Sequence, residues 1–166
     1  YKTHTEHPKM RAPDIADKLV AELKNNSFDF AVINLANADI ISHMGTLELA
    51  TKGVEAIDVA LASIAQASAA KNGIMVITAD HGNAESLIYR GTGEAETRHN
   101  TNPVPCYLVA EEFKRPRTPE ESEFSVGNPQ GLLSDVAPTN LELMEIPLPA
   151  EMTGTSLLPL FTQQKL

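Results

Sequence analysis

Residues 74–85 read Ile-Met-Val-Ile-Thr-Ala-Asp-His-Gly-Asn-Ala-Glu, an apolar run that passes directly into a polar segment. Residues 74–78 are typical of a short buried β-strand. In open α/β sheets, ligands bind outside the carboxyl ends of the strands, and Asp80 and His81 follow this strand directly. Gly82 frees the backbone there, so both side chains can turn toward one point. The stretch predicts an α/β fold with a polar site; a polar turn after a strand is the simpler alternative.

The segments on either side of this stretch alternate between helix and strand patterns. Pro13 followed by apolar residues at every fourth position predicts a first helix, and Phe30–Leu35 predicts a buried strand. A long helix is predicted from about Leu47 to Lys71, stopped by Asn72-Gly73. Strand, helix and strand in this order favour a parallel βαβ unit. The predicted buried face of the long helix comprises Ala50, Val54, Ile57, Leu61, Ile64 and Ser68.

The remaining segments continue this alternation with more irregular structure. Ser86–Thr97 predicts a hairpin or loop, and Val104–Ala110 predicts a third strand. The charged, proline-containing stretch Glu111–Gln130 is interpreted as a surface loop, and Pro138–Met144 as a short helix. The apolar tail Met152–Phe161 is expected to pack as a closing element.

The composition excludes several classes of protein. The chain has 166 residues, enough for one domain or a large part of one, and 42% of them are hydrophobic, so a packed core is possible. Its formal charge of −9 opposes non-specific binding to nucleic acids. No apolar run approaches the length of a transmembrane helix, so no membrane partner is expected. A single cysteine, Cys106, excludes an internal disulfide framework and fits a reducing, cytoplasmic compartment.

Metal-ligand residue types concentrate in three segments. Asp39 and His43 are four residues apart, a spacing that puts a carboxylate and an imidazole on one face of a helical turn. Asp80 and His81 follow the strand described above, and His99 precedes the third predicted strand. Two carboxylates and three imidazoles suit a borderline ion such as Mn²⁺ or Zn²⁺. Because five ligands exceed a tetrahedral set, they suggest two metals, as in phosphoryl-transfer sites.

These segments resemble a known family. The strings Asn-Ala-Asp-Ile-Ile-Ser-His-Met-Gly (37–45), Thr-Ala-Asp-His-Gly-Asn-Ala-Glu (78–85) and His-Asn-Thr-Asn-Pro-Val-Pro (99–105) look like cofactor-independent, or 2,3-bisphosphoglycerate-independent, phosphoglycerate mutases of the alkaline phosphatase superfamily. The resemblance covers almost the whole chain. It implies that residues 1–166 form the carboxyl-terminal part of the metal-binding phosphatase domain, a three-layer α/β fold with a mostly parallel central sheet that is incomplete on its amino-terminal side.

The resemblance also implies an activity and the roles of individual residues. The activity is the glycolytic interconversion of 3-phosphoglycerate and 2-phosphoglycerate through a phosphoserine. Asp39, His43 and His99 would hold one Mn²⁺, and Asp80 and His81 would hold the other. The nucleophilic serine is expected upstream of Tyr1, so no catalytic nucleophile is assigned within this chain, and the chain alone is expected to be inactive. Ser42 is an unfavourable substitute, because its side chain should point away from the ligands.

Two other functions stay open at this stage. One is another phosphomutase or phosphatase of the same superfamily, and the other is a non-catalytic metal-binding fragment. The family's first strand is missing from this sequence, and an open sheet edge favours self-association of the chain. A monodisperse monomer at high concentration would count against that last expectation.

Overall fold

The computed structural model describes residues 6–44, 46–89 and 91–162, which form two compact units. One unit comprises the described residues up to Ile74 together with His81–Asn102. The other comprises Met75–Asp80 and the described residues from Pro103 onward. The first unit contains helices, a hairpin and all but one of the predicted metal ligands. The second contains a small sheet and the carboxyl-terminal helices.

Three helices build the first unit, and each is where the sequence predicts a helix or helical turn. They are α1 (Ala12–Lys24), α2 (Asn37–Ser42) and α3 (Leu47–Ala69), with α1 and α2 both packed against α3. Proline in the first turn suits the start of α1, because that position has no helical N–H bond to lose. Asn72 adopts a left-handed φ of 54°, and the Gly73 N–H donates to the Ser68 carbonyl at 2.9 Å, which confirms the predicted stop of α3.

The buried face of α3 differs from the prediction. Val54 is 46% exposed, whereas Gly53, Ala56 and Ala60 are buried. A Cβ on Gly53 would lie 3.2 Å from the carbonyl oxygen of Asn37, so the α2 backbone approaches α3 at its small residues. A large side chain at position 53 would hold α2 and α3 apart. The prediction was wrong at Val54, because the helix packs closely through its small residues, whereas Ala50, Ile64 and Ser68 are buried as predicted.

The predicted parallel βαβ unit is not present among the described residues. Their one sheet has two strands, β1 (Met75–Thr78) and β2 (Cys106–Val109), and these pair antiparallel with Met75 opposite Val109 and Thr78 opposite Cys106. Phe30–Leu35 forms no strand, and Val32 is 80% exposed. An apolar run becomes a β-strand only where a neighbouring strand completes its hydrogen bonds, so composition alone mispredicted this segment. The predicted self-association through an open edge stays a prediction.

The predicted hairpin is confirmed in the first unit. Ile88 and Ala95 form an antiparallel bridge, and the Tyr89 N–H donates to the Glu94 carbonyl at 2.9 Å. Gly93 has a φ of 74°, the left-handed conformation that a tight turn places on glycine.

The carboxyl-terminal region contains more helix than the sequence predicts. Residues 111–130, interpreted as a loop, include α4 (Pro119–Gly127). This helix begins with a capping box, in which the Thr118 hydroxyl accepts from the Glu121 N–H and the Glu121 carboxylate accepts from the Thr118 N–H. The Thr-Pro-Glu-Glu pattern is a recognisable start signal that the proline count concealed. The predicted short helix is confirmed as α5 (Val136–Leu143).

The tail closes the second unit only in part. It ends in α6 (Leu158–Thr162); Leu157 just before it is buried, whereas Leu160 is 46% exposed. Among the helices in the described ranges, none combines the length and the apolar character needed to span a bilayer.

Candidate metal centre

The helix α2 presents Asp39 and His43 from adjacent turns. His43 is the residue that caps the carboxyl end of α2, one helical turn beyond Asp39, so both side chains project from one face. The helix is fixed at its start by Asn37, which is 2% exposed and whose side-chain amide donates to the carbonyls of Pro8 and Lys9 at 2.8 Å each. A buried amide with two backbone partners gives these side chains a firm base.

Asp39, His43 and His99 converge on one point. The Asp39 carboxylate oxygen Oδ1 lies 3.2 Å from His43 Nε2 and 3.0 Å from His99 Nε2, and the two nitrogens are 3.1 Å apart. These three are the described residues whose potential ligand atoms cluster as a metal site requires. The long-range partner of the Asp39–His43 pair is therefore His99, as the resemblance implies.

The hydrogen bond on the other side of His43 prepares its ring for this role. His43 Nδ1 contacts the backbone carbonyl of Thr97. A carbonyl can only accept, so Nδ1 carries a proton, and whenever the ring is neutral its lone pair is on Nε2. This is the arrangement usual for metal-binding histidines, in which the second nitrogen is held by a carbonyl or carboxylate.

The structure places the other two predicted ligands differently. The His81 ring stacks on the His99 ring, with centroids 3.7 Å apart and planes 16° from parallel. His81 is therefore beside the three-residue cluster. Asp80 is exposed and belongs to the other compact unit, at the end of the segment that carries β1.

Asn83 holds the Asp39 carboxylate from behind. Its side-chain amide donates to Asp39 Oδ1 at 2.9 Å, and Asn83 is only 4% exposed. Burial by itself raises the pKa of Asp39. The hydrogen bond from Asn83 and the charge of His43, His99 and His81 act in the opposite direction and together lower the pKa below its usual value. The site therefore favours the ionised carboxylate, which is the form that binds cations.

The Glu85 carboxylate hydrogen-bonds to both histidine-bearing loops, and the sequence motifs did not indicate this role. Its Oε1 accepts from the side-chain amides of Asn100 and Asn102 at 2.8 Å each, and its Oε2 accepts from the Asn83 N–H at 2.8 Å. Partial burial raises the pKa of Glu85, but these hydrogen bonds lower it overall. No signal in the sequence could have found these contacts, because Asn100 and Asn102 lie 15 and 17 residues from Glu85.

The glycine in the Asp-His-Gly string is required by this contact. Gly82 pairs with Asn100 through two backbone hydrogen bonds of 3.2 and 2.9 Å. A Cβ on Gly82 would lie 2.7 Å from the Glu85 carboxylate and would overlap the Asn100 side chain. With any other residue at this position, the Asn100 and Glu85 side chains would have to move.

Ser42 is fully buried, with 0% exposure, despite its place next to His43. A hydroxyl without solvent access cannot attack a substrate in this arrangement. Its exclusion as a nucleophile stays a prediction.

The donor set fits a divalent ion. Ligand atoms bound about 2.1 Å from one metal lie roughly 3 Å from each other, and the three separations here are 3.0–3.2 Å. One carboxylate and two imidazoles suit Mn²⁺, Zn²⁺ or Co²⁺ better than Ca²⁺, which prefers oxygen ligands. Three ligands also leave positions open for other groups.

Comparisons with known proteins support divalent metal binding. The chain matches the Metalloenzyme superfamily over residues 2–148. It is 40% identical to 2,3-bisphosphoglycerate-independent phosphoglycerate mutase of Pseudomonas fluorescens over 156 residues, and 43% identical to mutase 2 of Methanosarcina barkeri over 157 residues. Each match covers 94% of this chain but 28% of the relative, in its carboxyl-terminal part.

A solved structure supports the fold. The crystal structure of Leishmania mexicana phosphoglycerate mutase at low cobalt concentration matches with a TM-score of 0.76 and 25% identity, covering 93% of this chain and 30% of that one. The fold is therefore alkaline-phosphatase-like, and the two-stranded sheet is consistent with the predicted incomplete sheet. The family match, the relatives and the structure agree over nearly the whole chain: it belongs to the Metalloenzyme superfamily and resembles the carboxyl-terminal part of the 2,3-bisphosphoglycerate-independent phosphoglycerate mutases.

Proposed function

We propose that this chain is the carboxyl-terminal part of the phosphatase domain of a phosphoglycerate mutase. The reaction is the interconversion of 3-phosphoglycerate and 2-phosphoglycerate in glycolysis, in the cytoplasm. One observation carries the proposal: Asp39, His43 and His99 meet within 3.2 Å in a chain about 40% identical to proteins named for this activity. The chain spans about 28% of their length, so it supplies part of the machinery.

The proposed site holds two Mn²⁺ ions. Asp39, His43 and His99 hold the first, and their mutual distances support this grouping. Asp80 and His81 contribute to the second, together with groups from outside this chain. When bound, such ions neutralise the oxygens of the transferring phosphoryl group and lower the pKa of the attacking hydroxyl.

The residues of this chain orient the donors and set their charge. The Thr97 carbonyl holds the His43 ring in the tautomer that exposes Nε2, and Asn83 holds the Asp39 carboxylate. The nucleophilic serine that carries the phosphoryl group belongs to the segment expected upstream of Tyr1. The 166-residue chain is therefore proposed to bind metal without catalysing turnover.

Metal titration tests the site. Mn²⁺ should bind the chain, and Asp39→Ala should raise the dissociation constant by more than about 100-fold, since loss of a ligand exceeds the 10–100-fold cost of losing a supporting residue. His81→Ala should also weaken binding. Asp58→Ala, on the exposed face of α3, is the matched control and should bind as the unaltered chain does. Unchanged affinity in both ligand variants would contradict the proposed centre.

An activity assay tests whether this chain alone can catalyse the reaction. The chain with saturating Mn²⁺ should show no mutase activity on 3-phosphoglycerate, and robust turnover would contradict the proposal that an essential group lies elsewhere. In the longer protein, preference for a pentose phosphate over 3-phosphoglycerate would instead favour another phosphomutase of the superfamily.

A further inference from the structure

We infer that Glu85 is a positioning residue, which locks the loop carrying His99 against the turn that follows His81 and so sets the distance between His99 and Asp39. The inference rests on the proposed metal centre. It concerns a residue outside the ligand set, which the mutase reaction described above does not use.

The first step is the contact between the two loops. The Glu85 carboxylate accepts three hydrogen bonds of 2.8 Å, from the side chains of Asn100 and Asn102 and from the backbone N–H of Asn83. Asn102 is further fixed because its N–H donates to the Asn100 side-chain oxygen at 2.8 Å. One side chain therefore grips both loops, and the residue next to His99 is among its partners.

Asn83 and Asn100 connect the Glu85 carboxylate to the proposed ligands Asp39 and His99. Asn83 donates from its backbone to Glu85 and from its side chain to Asp39 Oδ1. On the other side, Asn100 follows His99 directly and pairs with Gly82 along the backbone. Glu85 thus lies in a continuous set of hydrogen bonds that runs from Asp39 to the backbone of His99.

The position of His99 needs to be restricted by contacts outside its own side chain. The His99 side chain is 50% exposed and arises from a loop, so its position depends on the ring stack with His81 and on the backbone that carries it. A metal site with loosely held ligands loses affinity, because binding must first order them. Fixing the backbone on either side of His99 lowers that cost.

The position of Glu85 requires a carboxylate. All three partners of Glu85 are N–H donors, and an ionised carboxylate is the side chain that only accepts. Glutamine has nearly the same shape, but its amide nitrogen would face an N–H donor on one side. Glu85→Gln therefore breaks at least one of the three bonds and sets two N–H groups against each other, with minimal change in volume.

The experiment uses the 166-residue chain with Mn²⁺ for affinity and Co²⁺ for geometry, since the visible absorption of bound Co²⁺ responds to ligand arrangement. Glu85→Gln should raise the Mn²⁺ dissociation constant about 10–100-fold. At saturating Co²⁺ its spectrum should still differ from that of the unaltered chain. Glu94→Gln, in the exposed hairpin, is the matched control and should change neither quantity.

A second variant covers the case in which Glu85→Gln does not fold. Asn102→Ala removes one of the three bonds and should shift affinity and spectrum in the same direction by a smaller amount. The inference is overturned if the variants that fold bind Mn²⁺ as tightly as the unaltered chain. It is also overturned if they give the unaltered Co²⁺ spectrum at saturation and differ only in a lower unfolding temperature, because Glu85 would then be merely structural. If the unaltered chain binds no Mn²⁺, or Asp39→Ala binds equally well, the proposed function itself fails.

Discussion

Two aspartates of this chain, Asp39 and Asp135, are held by hydrogen bonds in opposite ways. Asp135 is 6% exposed, and its carboxylate oxygens accept from the N–H groups of Leu132 and Thr155 at 2.8 and 2.9 Å. These backbone bonds lower the pKa of Asp135. The Asp39 carboxylate has one amide donor, Asn83, and otherwise faces two imidazole nitrogens.

The difference separates a carboxylate that builds the fold from one suited to bind a cation. The bonds to Asp135 pair an acceptor with backbone donors, and this region needs no further group. Around Asp39, the Nε2 atom of a neutral His43 ring presents a lone pair, because Nδ1 then holds the ring's one N–H proton on the side of Thr97. Acceptors that face each other are stable only with a proton or a cation between them. The groups that face each carboxylate therefore distinguish the structural aspartate from the one suited to bind a cation, although both residues are aspartates.

Gly154→Ala should produce the largest effect, on stability alone. A Cβ at this position would lie 2.7 Å from the carbonyl carbon of Ser134, the neighbour of Asp135, and backbone cannot move aside cheaply. We expect the free energy of unfolding to fall by about 3 kcal/mol, measured by urea denaturation. The Mn²⁺ dissociation constant of the folded chain should not change. A loss of metal affinity larger than the loss of stability would break the distinction between the two aspartates.

Gly82→Ala should produce the reverse pattern. Its Cβ would displace Glu85 and Asn100, so the dissociation constant for Mn²⁺ should rise about 10–100-fold, or about 1.4–2.7 kcal/mol, with a smaller fall in stability. Titration followed by electron paramagnetic resonance measures it. Gly91→Ala is the control, because its Cβ would meet no atom within 4 Å. Equal effects of the two substitutions would show that the contact with Glu85 is irrelevant.

Thr139→Val should give the smallest effect and sharpen the account of Asp135. The Thr139 hydroxyl is buried, donates to the Asp135 carbonyl at 2.7 Å and accepts from the Leu157 N–H at 2.8 Å. Valine removes the hydroxyl bond to the Asp135 carbonyl and leaves the buried Leu157 N–H without its acceptor, so stability should fall by about 1–2 kcal/mol without a change in metal affinity.

The comparison variant for this test is Thr51→Val. Thr51 is exposed on α3, and its stability should change by less than about 0.5 kcal/mol. If both threonine variants behaved alike, the buried hydrogen bonds beneath Asp135 would contribute nothing measurable.

Much of the local structure could be predicted because its signals are local. The apolar spacing after Pro13 predicted α1, Asn72-Gly73 predicted the end of α3, and the run 74–78 predicted β1. The four-residue spacing of Asp39 and His43 likewise indicated a shared face on one helical turn. In each case residues a few positions apart determine the geometry.

Elements that depend on distant partners were predicted less well. Phe30–Leu35 has the composition of a strand but no ladder among the described residues, and β1 pairs antiparallel with β2 rather than in a parallel unit. The contacts of Glu85 were missed for the same reason. Hydrogen bonds from Asn102 across 17 residues cannot be inferred from spacing.

By itself, the sequence determined α1, α3, the core of β1 and the residue types able to bind a metal, because short-range periodicity and side-chain chemistry are sufficient for these. The tertiary structure alone decided which of those side chains meet. His43 and His99 are 56 residues apart, and Asp39 and Asn83 are 44 apart. Such pairs form only when packing of α2 on α3 and the bonds around Glu85 have offset the entropy of closing the loops between them.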